Sequence, residues 1–148
     1  GYGKRDLLCY HAADPPDLVA LQVEHWQPVL DWLTEAYRAP LAVTGDIAPL
    51  EQDKASLVAV FSAVARHNDF VLTGLHAVTA VCGSVALGLA LLDHRIDVAE
   101  TWSCAILDER FQAERWGVDA DVESRWAEIR AEISTAADFM SLAQNQAG

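Results

Sequence analysis

The amino-acid sequence predicts one all-α domain of about five helices, packed around a buried central helix over residues 69–93. Apolar residues recur at spacings of three and four through most of the chain, which is the helical period. Residues 71–92 contain no Asp, Glu, Lys or Arg, and a helix that is apolar on every side must be surrounded by others. With 148 residues and 52% hydrophobic content, the chain can build a core without disulfides.

Proline residues delimit the first predicted helix. Asp14 can accept hydrogen bonds from the exposed first-turn amides, while Pro15 and Pro16 occupy positions where a missing N–H is harmless. Pro28 lies inside the apolar pattern, so we expect it to kink the helix or divide it in two. Pro40 is expected to stop the helix.

A short extended segment is predicted next, over residues 41–44. It can pair with residues 7–10, which would add one or two very short strands to the helical domain. The turn residues Gly45, Asp46 and Pro49 follow it. Strands this short leave the all-α prediction unchanged.

Polar residues mark the start of the second and the central helices. Asp53 is expected to cap the second helix, and Asn68 with Asp69 marks the break before the central one. Inside the central helix, residues 83–84 and Gly88 have small side chains. They predict a close approach of a neighbouring helix.

Two more helices follow the central one. Asp97 and Glu100 have the spacing of a capping box, and the helix that they begin is expected to run to Gly117. The last helix should open near Asp119 or Asp121. The apolar face of the former helix carries Val98, Trp102, Ala105 and Ile106, and that of the latter carries Val122, Trp126, Ile129, Ile133, Ala137 and Met140.

Composition excludes several classes of function. The 22 acidic and 10 basic residues give a net charge of −12, which repels nucleic acid and anionic lipid. Residues 71–92 could span a bilayer by length, but polar residues within them and the absence of flanking aromatic anchors predict no membrane insertion. Cys9, Cys82 and Cys104 are widely separated, so they predict buried small side chains in a reducing compartment.

The sequence offers no catalytic residue, metal site or cofactor site. Ser84 does not lie in a Gly-x-Ser-x-Gly motif, and no glycine-rich phosphate-binding loop is present. Asp108 and Glu109 are neighbours, so on a helix they point about 100° apart rather than across a substrate. No two histidines have the spacing that presents a pair to one metal: His11, His25, His67, His76 and His94.

Residues 107–117 are the most unusual segment. On one continuous helix, steps of three and four from Val98 lead to Glu109, Gln112 and Trp116, so polar groups interrupt the apolar stripe. Glu109 can pair with an Arg or a Trp indole inside the bundle, or it can belong to a functional acidic site. Trp116 can likewise be a core anchor or an interface hot spot.

An ordered set of motifs resembles the assembly-factor family that chaperones the alpha subunit of the mitochondrial and alphaproteobacterial ATP synthase head. The similarity runs from about Asp6 to Leu142, with Phe111 and His11 standing where relatives often have Trp and Arg. It is carried by Asp6, Leu7, Leu8, Cys9 and Tyr10, by Trp26, Pro28, Asp31 and Trp32, by Gly83, Ser84, Leu87, Ala90 and Leu91, and by Leu107, Asp108, Glu109, Gln112, Trp116, Gly117 and Asp119.

The resemblance implies a non-enzymatic chaperone that binds the unassembled alpha subunit and prevents its aggregation before it pairs with beta. It implies a helical domain over residues 1–148 that is part of a longer protein, with the family's amino-terminal β-rich domain absent. It also implies a monomer in the alphaproteobacterial cytoplasm or, alternatively, the mitochondrial matrix. The matched positions expected to be functionally critical are Glu109 first, then Asp108, Gln112, Trp116, Gly117 and Asp119.

Two other functions compete with this one. A small helical enzyme could use Glu109 in a cleft, which would require convergent polar groups around it. An acidic helical scaffold domain would need only a solvated surface.

Overall fold

The computed structural model describes residues 5–45 and 50–147 of the chain. These residues form seven helices and no strand, which confirms the all-α single domain and corrects the number of helices from about five. A 3-10 turn (Leu7–Cys9) precedes α1 (Pro16–Tyr37), α2 (Lys54–Ala65), α3 (Asp69–Cys82), α4 (Val85–Leu92), α5 (Val98–Ala105), α6 (Leu107–Trp116) and α7 (Ala120–Ala147).

The predicted central helix is two helices. Gly83 has φ 71°, a left-handed conformation that ends α3, and the Ser84 side chain accepts the Leu87 N–H to cap α4. The apolar pattern passes through this break because residues on both sides of it face the core. All eight residues of α4 are buried, whereas α3 buries one face only. Each described helix is too short or too polar to cross a bilayer.

The buried carboxylate of Asp6 holds the junction between α3 and α4. Its two oxygens accept the N–H groups of Leu8 and Ala86, each at 3.0 Å, and the Leu7 N–H donates to the Gly83 carbonyl at 2.8 Å. A negative charge at a helix N-terminus is stabilised by the exposed amides there. Burial nevertheless raises the pKa of Asp6, and the hydrogen bonds from Ser84 and the amides oppose that rise.

Helix α1 differs from its predicted boundaries. It begins at Pro16, so Asp14 lies outside it and Pro15 is the cap residue. Pro28 does not divide it. The helix ends at Tyr37, before Pro40, because Arg38 takes the left-handed conformation with φ 54° and its N–H still bonds the Thr34 carbonyl.

The predicted extended pairing is reduced to one bridge. Tyr10 and Thr44 form an isolated parallel bridge, supported by hydrogen bonds from His11 N to Thr44 O and from Thr44 N to Cys9 O. Residues 7–9 form the 3-10 turn instead of a strand. Of the predicted turn residues, Asp46 and Pro49 lie outside the described residues.

The other predicted helix starts are correct in position. Asp53 precedes α2, although its side chain makes no capping hydrogen bond, and Asn68 caps α3 by accepting the Val71 N–H. The predicted close approach holds at Gly88, where an added Cβ would lie 2.9 Å from Leu75 Cδ1. Helix α7 packs on α3 and α5, and its predicted apolar stripe contributes buried Trp126, Ile133 and Met140 to the interior.

Asp6→Ala is expected to destabilise the domain by about 2–4 kcal/mol, because it leaves the buried Leu8 and Ala86 amides without an acceptor. Urea unfolding followed by circular dichroism measures this loss. Asp53→Ala is the matched control, since its exposed side chain makes no capping bond, and it should cost about 0.5 kcal/mol or less. Equal losses in the two variants would contradict the role given to Asp6.

Candidate functional site

The helix predicted to run from Asp97 to Gly117 is divided at Ile106. The predicted capping box is present, with the Glu100 N–H 2.8 Å from Asp97 Oδ1. The chain then leaves helical geometry at Ile106, which has φ −102° and ψ 7°. The prediction of one continuous apolar stripe from Val98 to Trp116 is therefore wrong, because the non-helical residue Ile106 separates its two halves onto α5 and α6.

Trp26 supplies a physical reason for this break. Its indole Nε1 donates to the Cys104 carbonyl at 3.0 Å. In an uninterrupted α-helix that carbonyl would accept the N–H of Asp108. The side chain of Trp26 is completely buried, so it holds the end of α5 against α1 at the point where α6 begins.

Asp108 connects α6 to α1. Its Oδ1 accepts a hydrogen bond from Gln22 Nε2 at 2.5 Å, and Gln22 Oε1 in turn accepts the Ala12 N–H at 2.7 Å. Gln22 is only 1% exposed, whereas Asp108 at the end of this chain of bonds is half-buried. Burial raises the pKa of Asp108, while the hydrogen bond from Gln22 and the nearby His11 act to lower it.

Glu109 connects α6 to α7 on the other side. Its Oε2 accepts hydrogen bonds from the Arg125 guanidinium and from Trp126 Nε1, the latter at 3.0 Å. The structural alternative stated for Glu109 is thus realised with an Arg and a Trp indole together. Its side chain is 46% exposed, so the carboxylate lies at the edge of the bundle and not inside it.

Two further contacts hold α5 against α7 beside this site. Trp102 Nε1 donates to the Trp126 carbonyl at 2.8 Å. The guanidinium of Arg130 lies over the Trp102 ring, 5.0 Å from its centroid, which is a favourable cation–π arrangement. The position of Trp126, and through it the support of Glu109, is therefore determined by α5 as well as α7.

The remaining predicted residues lie on the surface at the end of α6. Gln112 is exposed, and Trp116 is 83% exposed, so the core-anchor interpretation of Trp116 is wrong. Gly117 has φ 101°, a conformation that favours glycine, and it turns the chain out of α6. Asp119 Oδ1 accepts the Val122 N–H at 2.8 Å, which confirms the predicted opening of α7.

The six predicted positions therefore divide into three pairs. Asp108 and Glu109 are engaged by side chains of the fold, whereas Gln112 and Trp116 face solvent. Gly117 and Asp119 shape the connection from α6 to α7. The two carboxylates point to opposite neighbours, so they do not converge on a common substrate position.

The cysteine side chains lie in the interior and not at the surface. The three cysteines are buried, as predicted, and burial raises the pKa of Cys9 and Cys82 to about 12 and that of Cys104 to about 11. Within the described residues, no three His, Cys, Asp or Glu side chains are grouped as metal ligands.

Sequence reasoning identified α6 but missed its partners. Gln22, Arg125 and Trp126 hold the two carboxylates, and Trp26 donates to the carbonyl at the end of α5. A Gln on the apolar face of α1 was the available signal, because a buried amide must be hydrogen-bonded.

The described residues form an all-α domain in which the surface helix α6 is held on two sides and ends in an exposed tryptophan. No protein-family model matches the chain. Atp12 from Paracoccus denitrificans is 39% identical, with a TM-score of 0.90 over 93% of this chain and 59% of that one. A point mutant of P. denitrificans Atp12p is 39% identical, with a TM-score of 0.93 over 96% of this chain and 61% of that one.

A protein from Agrobacterium tumefaciens, Atu1473, whose assignment as a chaperone is provisional, is 33% identical. Its TM-score is 0.86, and the match covers 96% of this chain and 53% of that one. These similarities support the assignment of this helical domain to the family of Atp12, a family of ATP synthase assembly chaperones. The chain spans between half and two thirds of the length of these relatives.

The raised pKa of Asp108 predicts a pH-dependent difference in stability between the wild type and Asp108→Asn. The folded protein keeps a proton on this carboxyl at pH values where the unfolded chain has released it. As pH falls through the raised folded pKa toward the ordinary aspartate pKa of 3.8, the wild type should gain stability relative to the variant. Above that range Asp108→Asn, which can still accept from Gln22, should be at least as stable.

Urea unfolding of both proteins at a series of pH values measures this difference. Asp6 is present in both, so its own titration cancels. Asp14→Asn, at an exposed carboxylate, is the control for the loss of one charge. A wild-type advantage that grows with rising pH would contradict the assignment.

Proposed function

We propose that this domain binds the unassembled alpha subunit of the F-type ATP synthase and prevents its aggregation before it pairs with beta. The observation that carries the proposal is the exposed indole of Trp116 at the end of α6, in a chain related to Atp12. An unassembled subunit exposes an apolar interface that invites wrong association. A chaperone must cover such a surface reversibly.

The site suits a protein interface in composition. Trp is enriched among residues that dominate binding energy, and Trp116 is accompanied by Val118, which is 43% exposed, and by the polar Gln112. The helix that presents it is held by Asp108 on one side and Glu109 on the other. Because the fold fixes the position of α6, little conformational entropy is lost from its backbone on binding.

In this proposal the critical residues have different roles. Trp116 and Gln112 contact the client. Glu109 and Asp108 are positioning residues that hold α6, and Gly117 with Asp119 directs the chain into α7. The domain acts without catalysis or a cofactor, as a monomer, in the alphaproteobacterial cytoplasm.

Trp116→Ala is expected to abolish suppression of client aggregation while leaving stability within about 0.5 kcal/mol of the wild type, because an exposed side chain makes few intramolecular contacts. Light scattering during refolding of isolated alpha subunit measures the activity. Phe61→Ala, at another exposed aromatic residue on α2, is the matched control and should retain activity.

No suppression by the wild-type domain, even when it is joined to the rest of the longer protein, would refute the proposed function. Suppression that survives in Trp116→Ala would refute the assigned contact residue. If the wild-type protein shows no suppression, an acidic scaffold domain is the better description.

Glu109→Lys is expected to abolish suppression as well, but by releasing α6 from α7 and not by removing a contact with the client. The substitution places an ammonium group beside Arg125 and removes the hydrogen-bond acceptor of Trp126. Circular dichroism first establishes that the variant folds. Combining it with Arg125→Glu restores an ion pair of opposite polarity between α6 and α7. Recovery of at least half of the wild-type suppression is expected, whereas a client that reads the Glu109 charge directly would leave the double variant inactive.

A further inference from the structure

A groove with a volume of about 440 Å³ runs along the surface between α3 and α7. Its lining is apolar and mostly small, with Gly74, Ala77 and Val81 on α3 and Ala136 and Phe139 on α7. At Gly74 an added Cβ would lie 2.4 Å from Met140 Cγ and 3.3 Å from the Ala136 carbonyl oxygen. The two helices therefore approach closely, and small side chains above their contact leave the groove open.

Large apolar side chains extend the groove at one end. Gly74 lies opposite Ala136 and Met140, and from that contact the groove lining extends forward to Val81 on α3 and back to Ala131 on α7, so the helices run antiparallel. This register places Phe70 and Leu142, which are 68% and 63% exposed, at the same end as Phe139. Exposed apolar surface of this extent marks interaction sites.

The dimensions of the groove fit one helix. The stretch from Phe70 to Val81 is about 16 Å long at 1.5 Å per residue, enough for about three turns of a second helix. A helix that docks in a groove presents apolar side chains three and four residues apart. The shallow floor at Gly74 and Ala77 leaves room for its leucine-sized side chains.

The charges around the groove are acidic. Glu132 lines it, Glu128 lies one turn earlier on α7, and Asp69 begins α3 at the opposite end. Helix α3 contains neither Lys nor Arg. The two arginines of α7 are engaged elsewhere, Arg125 by Glu109 and Arg130 by the Trp102 ring.

We propose that this groove binds a basic amphipathic helix of another protein. Apolar side chains on one face of such a helix would fill the groove, and Lys or Arg on its flanks would meet the acidic rim. A second copy of this chain, with a net charge of −12, would bring an equally acidic rim against the first. The proposal does not depend on the client proposed above, because Trp116 is not part of the groove.

A fluorescein-labelled synthetic helix of Leu, Ala and Lys, with leucines three and four residues apart on one face and lysines on both flanks, serves as the probe. Fluorescence anisotropy measures its binding. Ala77→Lys should weaken binding at least tenfold, because the new side chain fills the groove and repels the peptide. Ala20→Lys makes the same change of charge at an exposed alanine of α1, and it should bind within twofold of the wild type.

A peptide with glutamate in place of lysine should bind at least tenfold more weakly, and Trp116→Ala should bind the lysine peptide like the wild type. The proposal is overturned by absence of wild-type binding, by equal binding of the two peptides, or by equal losses in Ala77→Lys and Ala20→Lys. Sedimentation equilibrium supplies the last outcome: a wild-type dimer that Ala77→Lys dissociates would assign the groove to a second copy. Circular dichroism of each variant establishes that it is folded.

Discussion

The fold depends on one buried carboxylate. Asp6, 3% exposed, lies at the junction of α3 and α4 and satisfies amides from both the N-terminal segment and the start of α4. Without an acceptor there, the exposed amides at the start of a fully buried helix would have no partner and no access to water. Helix α4 can be buried on all sides because Asp6 and Ser84 accept hydrogen bonds from its first-turn amides, which the surrounding apolar side chains cannot do.

A second set of polar contacts directs the surface helix α6. The indole of Trp26 donates a hydrogen bond to a carbonyl at the end of α5. Asp108 accepts a hydrogen bond from a side chain of α1, and Glu109 accepts one from a side chain of α7. Each contact is specific in geometry, in contrast to apolar packing, which tolerates rotation of a helix about its axis. The exposed position of Trp116 follows from these constraints, and we propose that the domain uses it to hold a client.

The acidic charge of the chain is distributed unequally among these surfaces. Near α6, the carboxylate of Glu109 is neutralised by Arg125, whereas α3, on one side of the groove, contains neither Lys nor Arg. Surface charge of one sign around an apolar groove selects partners of the opposite sign. The two proposed surfaces would therefore recognise chemically different features of a protein partner.

The sequence by itself determined the helical class, a buried apolar segment that includes residues 85–92, the break at Asn68, the capping box at Asp97, the start of the last helix near Asp119 or Asp121, and the family resemblance. These features depend on neighbours within about four residues or on the period of the apolar pattern, which are readable along one chain.

Only the tertiary structure decided that the central helix breaks at Gly83, that α5 ends at Ile106 and that Trp116 faces solvent. The reason is that these outcomes depend on partners distant in sequence. Trp26 is 78 residues from Cys104, and Asp6 is 80 residues from Ala86. A periodic apolar pattern is the same for one helix and for two that share a core, so it cannot report a competing hydrogen bond from elsewhere in the fold.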